Sequence, residues 1–115
     1  MEILLLIIIP VIYIYWLYTT RKGIKIITTK QLKDILNDPS YYFVDVRTKN
    51  EYKARSIKQF KNIPLGSDFS KLPLDREIVV ICQSGMRSAK ACKELKKLGY
   101  ENVTNVSGGM NSWKF

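Results

Sequence analysis

Residues 77–88 read Glu77-Ile78-Val79-Val80-Ile81-Cys82-Gln83-Ser84-Gly85-Met86-Arg87-Ser88. The run up to Ile81 is dominated by β-branched residues and predicts the strongest strand in the chain, ending at Cys82. From Ser88 to Leu98 the spacing predicts a helix. Ala91, Leu95 and Leu98 share one face, Lys90, Lys93, Lys96 and Lys97 fall largely on others, and Gly99 suits the C-terminal cap. Cys82 is thereby expected between a strand end and a helix start. A helix N-terminus presents unpaired N–H groups and about half a unit of positive charge, both of which stabilise an anion. If the loop curls around the sulfur, its N–H groups form an anion-binding nest, with Gly85 free to take positive φ. Arg87 adds a permanent positive charge. The expectation is a thiol acidity well above that of a free cysteine, whose pKa is about 8.5, with no general base required.

The same alternation extends outward on both sides. Upstream, Ile24-Lys25-Ile26-Ile27 is a short β-branched run, and Thr28-x-x-Gln31 is a capping box opening a helix through Ile35 and Leu36. After the turn cluster Asn37-Asp38-Pro39-Ser40 comes Tyr42-Phe43-Val44-Asp45-Val46, an apolar run of the kind covered on both faces. Thr48-x-x-Glu51 is a second capping box, leading into a short helix to about Ser56, and Ile63-Pro64-Leu65 reads as a brief strand. Downstream, Asn102 to Val106 is another strand, Gly108-Gly109 breaks it, and Met110 to Trp113 starts a last short helix. Strands alternating with helices predict an α/β domain with a mostly parallel central sheet. Ligands of such sheets bind beyond the carboxyl ends of the strands, where Asp45 and Cys82 both fall.

The first twenty residues have a different character. Ile3 to Tyr18 is apolar or aromatic throughout except for Pro10. Ile3 to Thr20 reaches the lower limit for crossing a hydrocarbon core, about 17 residues. The segment lacks a basic start and a small-residue cleavage site, so it reads as a retained transmembrane anchor rather than a signal peptide. Tyr13, Tyr15, Trp16 and Tyr18 suit an interfacial belt. Arg21, Lys22 and Lys25 follow, which by the positive-inside rule places the C-terminal domain in the cytoplasm. The expected organisation is an anchor over 1–20, a basic juxtamembrane linker over 21–25 and one domain over 26–115.

The 115-residue chain carries a net charge of +9, with 19 Lys and Arg, all after Thr20. The lysines are scattered rather than interleaved with aromatics, which argues against nucleic acid and for solvated surface beside an anionic bilayer. With no histidine, a histidine base, a His-based triad and His-ligated zinc are excluded. Neither a metal nor a cofactor is expected. Two cysteines in a chain with an ordinary core read as reduced thiols in a reducing compartment. Cys92, one turn after Ser88 and three residues before Leu95, reads as core filler, with a resolving thiol as the alternative.

Several motifs together resemble the rhodanese family, over nearly all of Ile26 to Trp113. They are Val44-Asp45-Val46-Arg47 followed by Glu51-Tyr52, then Asn62-Ile63-Pro64-Leu65, the loop Cys82-Gln83-Ser84-Gly85-Met86-Arg87-Ser88, and Gly108-Gly109 before Trp113. The resemblance implies a three-layer α/β/α fold preceded here by the transmembrane helix. It also implies a thiosulfate or persulfide sulfurtransferase, in which Cys82 becomes a persulfide and passes its outer sulfur to cyanide, a thiol or a protein acceptor such as a thioredoxin-like protein. By the same resemblance Cys82 would be the nucleophile, Gln83, Ser84, Gly85, Met86, Arg87 and Ser88 the substrate cradle, and Arg87 part of the substrate site. Asp45 would brace the loop and Arg47 would pair with Glu51. The chain departs from the family's usual Gly-His-Ile and small-residue pair with Arg55-Ser56-Ile57 and Gln59-Phe60, a segment expected to pack rather than react. Its stop at Phe115 leaves the last helix short.

Two other functions compete. Chains resembling dual-specificity phosphatases and arsenate reductases have one more residue between cysteine and arginine, whereas four separate Cys82 from Arg87, making a cradle sized for one sulfur atom. A non-catalytic interaction module at the membrane would be expected to lose the cysteine or the arginine, and both are present. Asp45 and Arg47 stay open between scaffold and site. An Asp at a strand end commonly caps a turn, and an Arg47–Glu51 surface pair would be worth at most about 1 kcal/mol.

Overall fold

The computed structural model describes the backbone of residues 2–115 and all side chains except those of residues 1, 2 and 17–22. The elements run α1 (Glu2–Lys22), β1 (Ile24–Ile27), α2 (Thr29–Ile35), β2 (Tyr41–Asp45), α3 (Lys49–Ala54), β3 (Lys61–Asn62), β4 (Glu77–Ile81), α4 (Met86–Lys97), β5 (Val103–Val106) and α5 (Gly109–Ser112). The five strands form one sheet in the order β1-β5-β4-β2-β3, and each neighbouring pair is parallel. Parallel strands need covering on both faces, and the side chains of β4 show why its sequence is continuously apolar. Ile78 and Val80 face α4, packing with Ala91, Cys92, Leu95, Val44 and Val103. Val79 and Ile81 face the other way, against Leu32 of α2, Phe43, Phe60, Val106 and Met110. The domain is thus a three-layer α/β/α sandwich.

Local signals fix the helix starts. Thr28 and Thr48 each accept from the N–H three residues on, at 3.2 Å, while Gln31 and Glu51 accept from the cap N–H at 2.9 and 3.1 Å. Both capping boxes close as the sequence predicts. The end of α4 is a Schellman turn, in which Tyr100 N–H donates to Leu95 and Gly99 N–H to Lys96, both at 3.1 Å. The Tyr100 hydroxyl then donates to the Phe69 and Leu72 carbonyls, at 2.8 and 2.9 Å, and pins the long connection before β4.

Three expectations are corrected. The third strand is Lys61–Asn62 rather than Ile63-Pro64-Leu65. Ile63 and Leu65 still donate to Asp45 and Val46, but Pro64 between them has no N–H and the ladder cannot continue. Helix α4 begins at Met86, two residues before Ser88, because Gly85 takes φ 102° and acts as its N-cap. Leu98 does not join the packed face with Ala91 and Leu95: it is the C-cap, 50% exposed.

Helix α1 stands apart, its large apolar and aromatic side chains from Ile3 to Trp16 being between 44% and 74% exposed. Among the described residues no helix is long and apolar enough to cross a membrane. The side chains of Tyr18, Arg21 and Lys22, on which the anchor expectation also draws, lie outside the described residues. Only Gly23 separates α1 from β1, so α1 joins the sheet at its amino-terminal edge, opposite the edge that carries Cys82.

Candidate active site

Because β4 is a central strand, its end is enclosed by neighbours, and Cys82 is fully buried there. The chain then turns through residues 83–85 into α4. The Gly85 N–H donates to Cys82 Sγ at 3.0 Å, and Ser88 Oγ lies 3.3 Å from the sulfur, with either atom able to donate. Burial pushes the thiol pKa up, but the Ser88 hydroxyl, when it donates to the sulfur, and the N–H groups of Ser88, Gly85 and Ser84 push it down further, and the net shift is downward. The cradle therefore favours thiolate without histidine. Cys92, one turn further along α4, differs: burial and then the neighbouring Cys82 charge push its pKa up to about 12, so it stays a neutral core thiol.

The carboxylates expected around the loop are brought to it, with different partners. Arg47 does not pair with Glu51. Its guanidinium lies against Asp45, with Nη2 2.9 Å and Nε 3.1 Å from Oδ2, and both side chains are buried. The reason is register: Arg47 precedes the N-cap Thr48, so it lies off the helix on which a spacing of four would make it a neighbour of Glu51. Arg47 also donates from Nη2 to the Arg55 carbonyl at 2.6 Å and from Nη1 to Gln83 Oε1 at 3.2 Å. Asp45 thus reaches the loop through Arg47 and Gln83. Glu51 instead binds Arg87 in a two-pronged pair at 2.7 and 2.9 Å, which holds its carboxyl at a pKa of about 2. Ser84 and Met86 project outward, Met86 being 79% exposed at the rim.

Groups from the far end of the chain also reach the loop, and the sequence does not disclose them as loop contacts. Gly109, at φ 56°, lies so close to the loop that an added Cβ would fall 2.2 Å from the Cys82 carbonyl oxygen. The N–H groups of Met110 and Asn111 donate to the carbonyls of Cys82 and Gln83 at 2.9 and 3.0 Å, and Asn111 Oδ1 accepts from Gln83 Nε2 at 2.6 Å. Asn105 of β5 reaches Ser88 and Gly85. The pair Gly108-Gly109 was the one local signal, legible as a break but not as a loop contact. Asn62 ties the β2 end by donating to the carbonyls of Asp45 and Arg47 at 3.1 and 2.9 Å. Among the described residues no cluster of three or more His, Cys, Asp or Glu could hold a metal ion.

Comparison with known proteins agrees with this arrangement. The family model described as the rhodanese-like domain matches residues 28–115. The putative sulfurtransferase YtwF of Bacillus subtilis is 41% identical over 95 residues, covering 79% of this chain and 91% of the relative. A putative mitochondrial thiosulfate sulfurtransferase of Schizosaccharomyces pombe is 36% identical over 92 residues, covering 66% of this chain and 65% of the relative. Among solved structures, a rhodanese-like domain protein from Staphylococcus aureus superposes with a TM-score of 0.71 at 33% identity, over 78% of this chain and 91% of that one. The chain belongs to the rhodanese-like family of single-domain sulfurtransferases.

Proposed function

We propose that the protein moves a sulfane sulfur from thiosulfate or a persulfide donor to a thiol or cyanide through a persulfide on Cys82. The observation that carries this reading is the Cys82 sulfur at the floor of a cradle of N–H groups, with its pKa shifted down in a chain that has no histidine. The Cys82 thiolate attacks the outer sulfur of thiosulfate. The bond from that sulfur to the sulfonate sulfur breaks, and sulfite leaves with the electron pair. An acceptor thiolate, or cyanide, then attacks the outer sulfur of the persulfide, and Cys82 departs as thiolate.

In this reading the backbone of Gln83, Ser84, Gly85, Met86 and Ser88 stabilises charge on each successive sulfur. Arg87, oriented by Glu51, faces the donor's oxygens. Asp45 and Arg47 hold Gln83 and so fix the loop. The name of the fission-yeast relative supports thiosulfate as a donor, and a thioredoxin-like protein fits the thiol acceptor. Thiocyanate formation from thiosulfate and cyanide tests the reading: the protein should catalyse it, Cys82→Ser should not, and equal rates would sink it.

We also propose that residues 1–20 anchor the protein in a membrane, joined by the basic segment 21–25 to a cytoplasmic domain over 26–115. The exposed apolar flank of α1 supports this. Since α1 enters at the opposite edge of the sheet from Cys82, the cradle would open away from the bilayer toward partners in the aqueous phase. Full-length protein should float with phosphatidylcholine–phosphatidylglycerol vesicles and resist alkaline extraction. Recovery in the unbound fraction would refute the anchor and leave the sulfur chemistry untouched.

A further inference from the structure

The Ser88 hydroxyl has one proton and three acceptors around it. Asn105 Oδ1 lies 2.5 Å away, the Gly85 carbonyl 3.1 Å and Cys82 Sγ 3.3 Å. The orientation of the Asn105 amide is set by its other end, where Nδ2 donates to the Gly85 carbonyl at 3.3 Å. Turning the amide over would set two carbonyl oxygens against each other and leave both acceptors poorer. Asn105 therefore accepts from Ser88, by the shortest of the three contacts. The Ser88 oxygen is left facing the sulfur as an acceptor, which suits a protonated thiol and not a thiolate. For Ser88 to donate to the thiolate it must turn from Asn105, leaving the buried amide oxygen without its donor.

We propose that Asn105 is a positioning residue that holds the Ser88 hydroxyl as an acceptor for the Cys82 thiol, so that losing the amide frees the hydroxyl to donate to the sulfur. The site then balances two demands. A thiolate must form readily, but a sulfur too well stabilised attacks and leaves less readily, since nucleophilicity falls with pKa. The inference rests on the sulfurtransferase reading only in taking Cys82 as the reacting group. The charged and titratable groups around the sulfur are the Arg87–Glu51 pair, the Asp45–Arg47 pair and Cys92. Glu51 is held at about 2 and Cys92 is pushed up to about 12, both well away from the Cys82 thiol, whose pKa is shifted down from its ordinary value.

The test is the pH dependence of Cys82 alkylation by iodoacetamide in full-length protein, read by mass, for wild type, Asn105→Leu, Ser88→Ala and the double variant. A hydrogen bond gained by a charged sulfur shifts its pKa down by about one unit, about a tenfold rise in thiolate on the acid side of the curve. Asn105→Leu should show that shift, and in the Ser88→Ala background the same substitution should have no effect. Asn105→Asp, which accepts more strongly and adds negative charge, should move the curve the other way and guards against misreading a misfolded leucine variant. An unchanged or raised pKa in Asn105→Leu overturns the proposal, as does an equal shift with and without Ser88. The readout needs no sulfur donor. Failure to load wild type with thiosulfate would count against the sulfurtransferase reading alone.

Discussion

Replacing Gly109 by alanine puts a methyl group 2.2 Å from the Cys82 carbonyl oxygen and 2.8 Å from that of Gln83. Both are backbone atoms of the loop, so the methyl cannot be relieved by a side chain swinging away. The loop or α5 must move, and the hydrogen bonds from Met110 to Cys82 and from Asn111 to Gln83 go with it. Each is worth about 1 kcal/mol, and an L-residue at positive φ costs a further 1–2 kcal/mol or so. The expected loss is about 3–4 kcal/mol. Gly99 is the control, because it has φ 100° but nothing within 4 Å of its added Cβ, and it sits at the far end of α4. Gly99→Ala should cost only the conformational part, about 1–2 kcal/mol, and leave the loop intact. Urea unfolding with matched slopes measures the first quantity, and the rate of sulfur loading from thiosulfate the second. Gly109→Ala should be clearly less stable than Gly99→Ala and should load poorly at a temperature where it remains folded. Equal stabilities with wild-type loading in both would refute the claim that α5 clamps the loop.

Removing one partner of the buried Asp45–Arg47 pair strands the other charge, so Arg47→Met should cost about 3–5 kcal/mol in urea unfolding. The Glu51–Arg87 pair, at side-chain exposures of 32% and 37%, is worth far less, about 1 kcal/mol or below. Its sign is set by Glu51: a carboxyl held down at about 2 in the folded state, against about 4.5 unfolded, contributes stability above pH 4.5 that is lost as pH falls toward 2. Unfolding free energies at pH 6 and pH 3 should accordingly diverge less in Glu51→Gln than in wild type. Cys92→Ala should leave the rate and extent of sulfur loading unchanged, since that thiol stays protonated to about pH 12; loss of loading would make it a participant.

What the sequence discloses and what it hides divide along chain separation. The strand run from Glu77 to Ile81, the two capping boxes and the break at Gly108-Gly109 are local, each set by neighbours within about four residues, and each appears in the structure. The loop between β4 and α4 was legible for the same reason: Gly85 supplies its positive φ and the strand before it is unambiguous. Partners were not. Arg47 and Glu51 have helical spacing, but the first precedes the N-cap, and Glu51 is claimed by Arg87, 36 residues away. Asn105 and Asn111 belong to the site only because β5 pairs with β4 and α5 folds back over the loop. Leu98 obeys the periodicity of its helix and is still 50% exposed, because it is the C-cap, after which the chain turns away through Gly99 at φ 100°.

The intact mass of the full-length protein before and after thiosulfate, with Cys82→Ser and Cys92→Ser beside it, tests the central claim most directly. Wild type and Cys92→Ser should each gain the mass of one sulfur, and cyanide or dithiothreitol should remove it, while Cys82→Ser gains nothing. A well-folded wild type that takes up no sulfur from thiosulfate or from a persulfide donor, or a Cys82→Ser protein that still takes it up, would contradict the account.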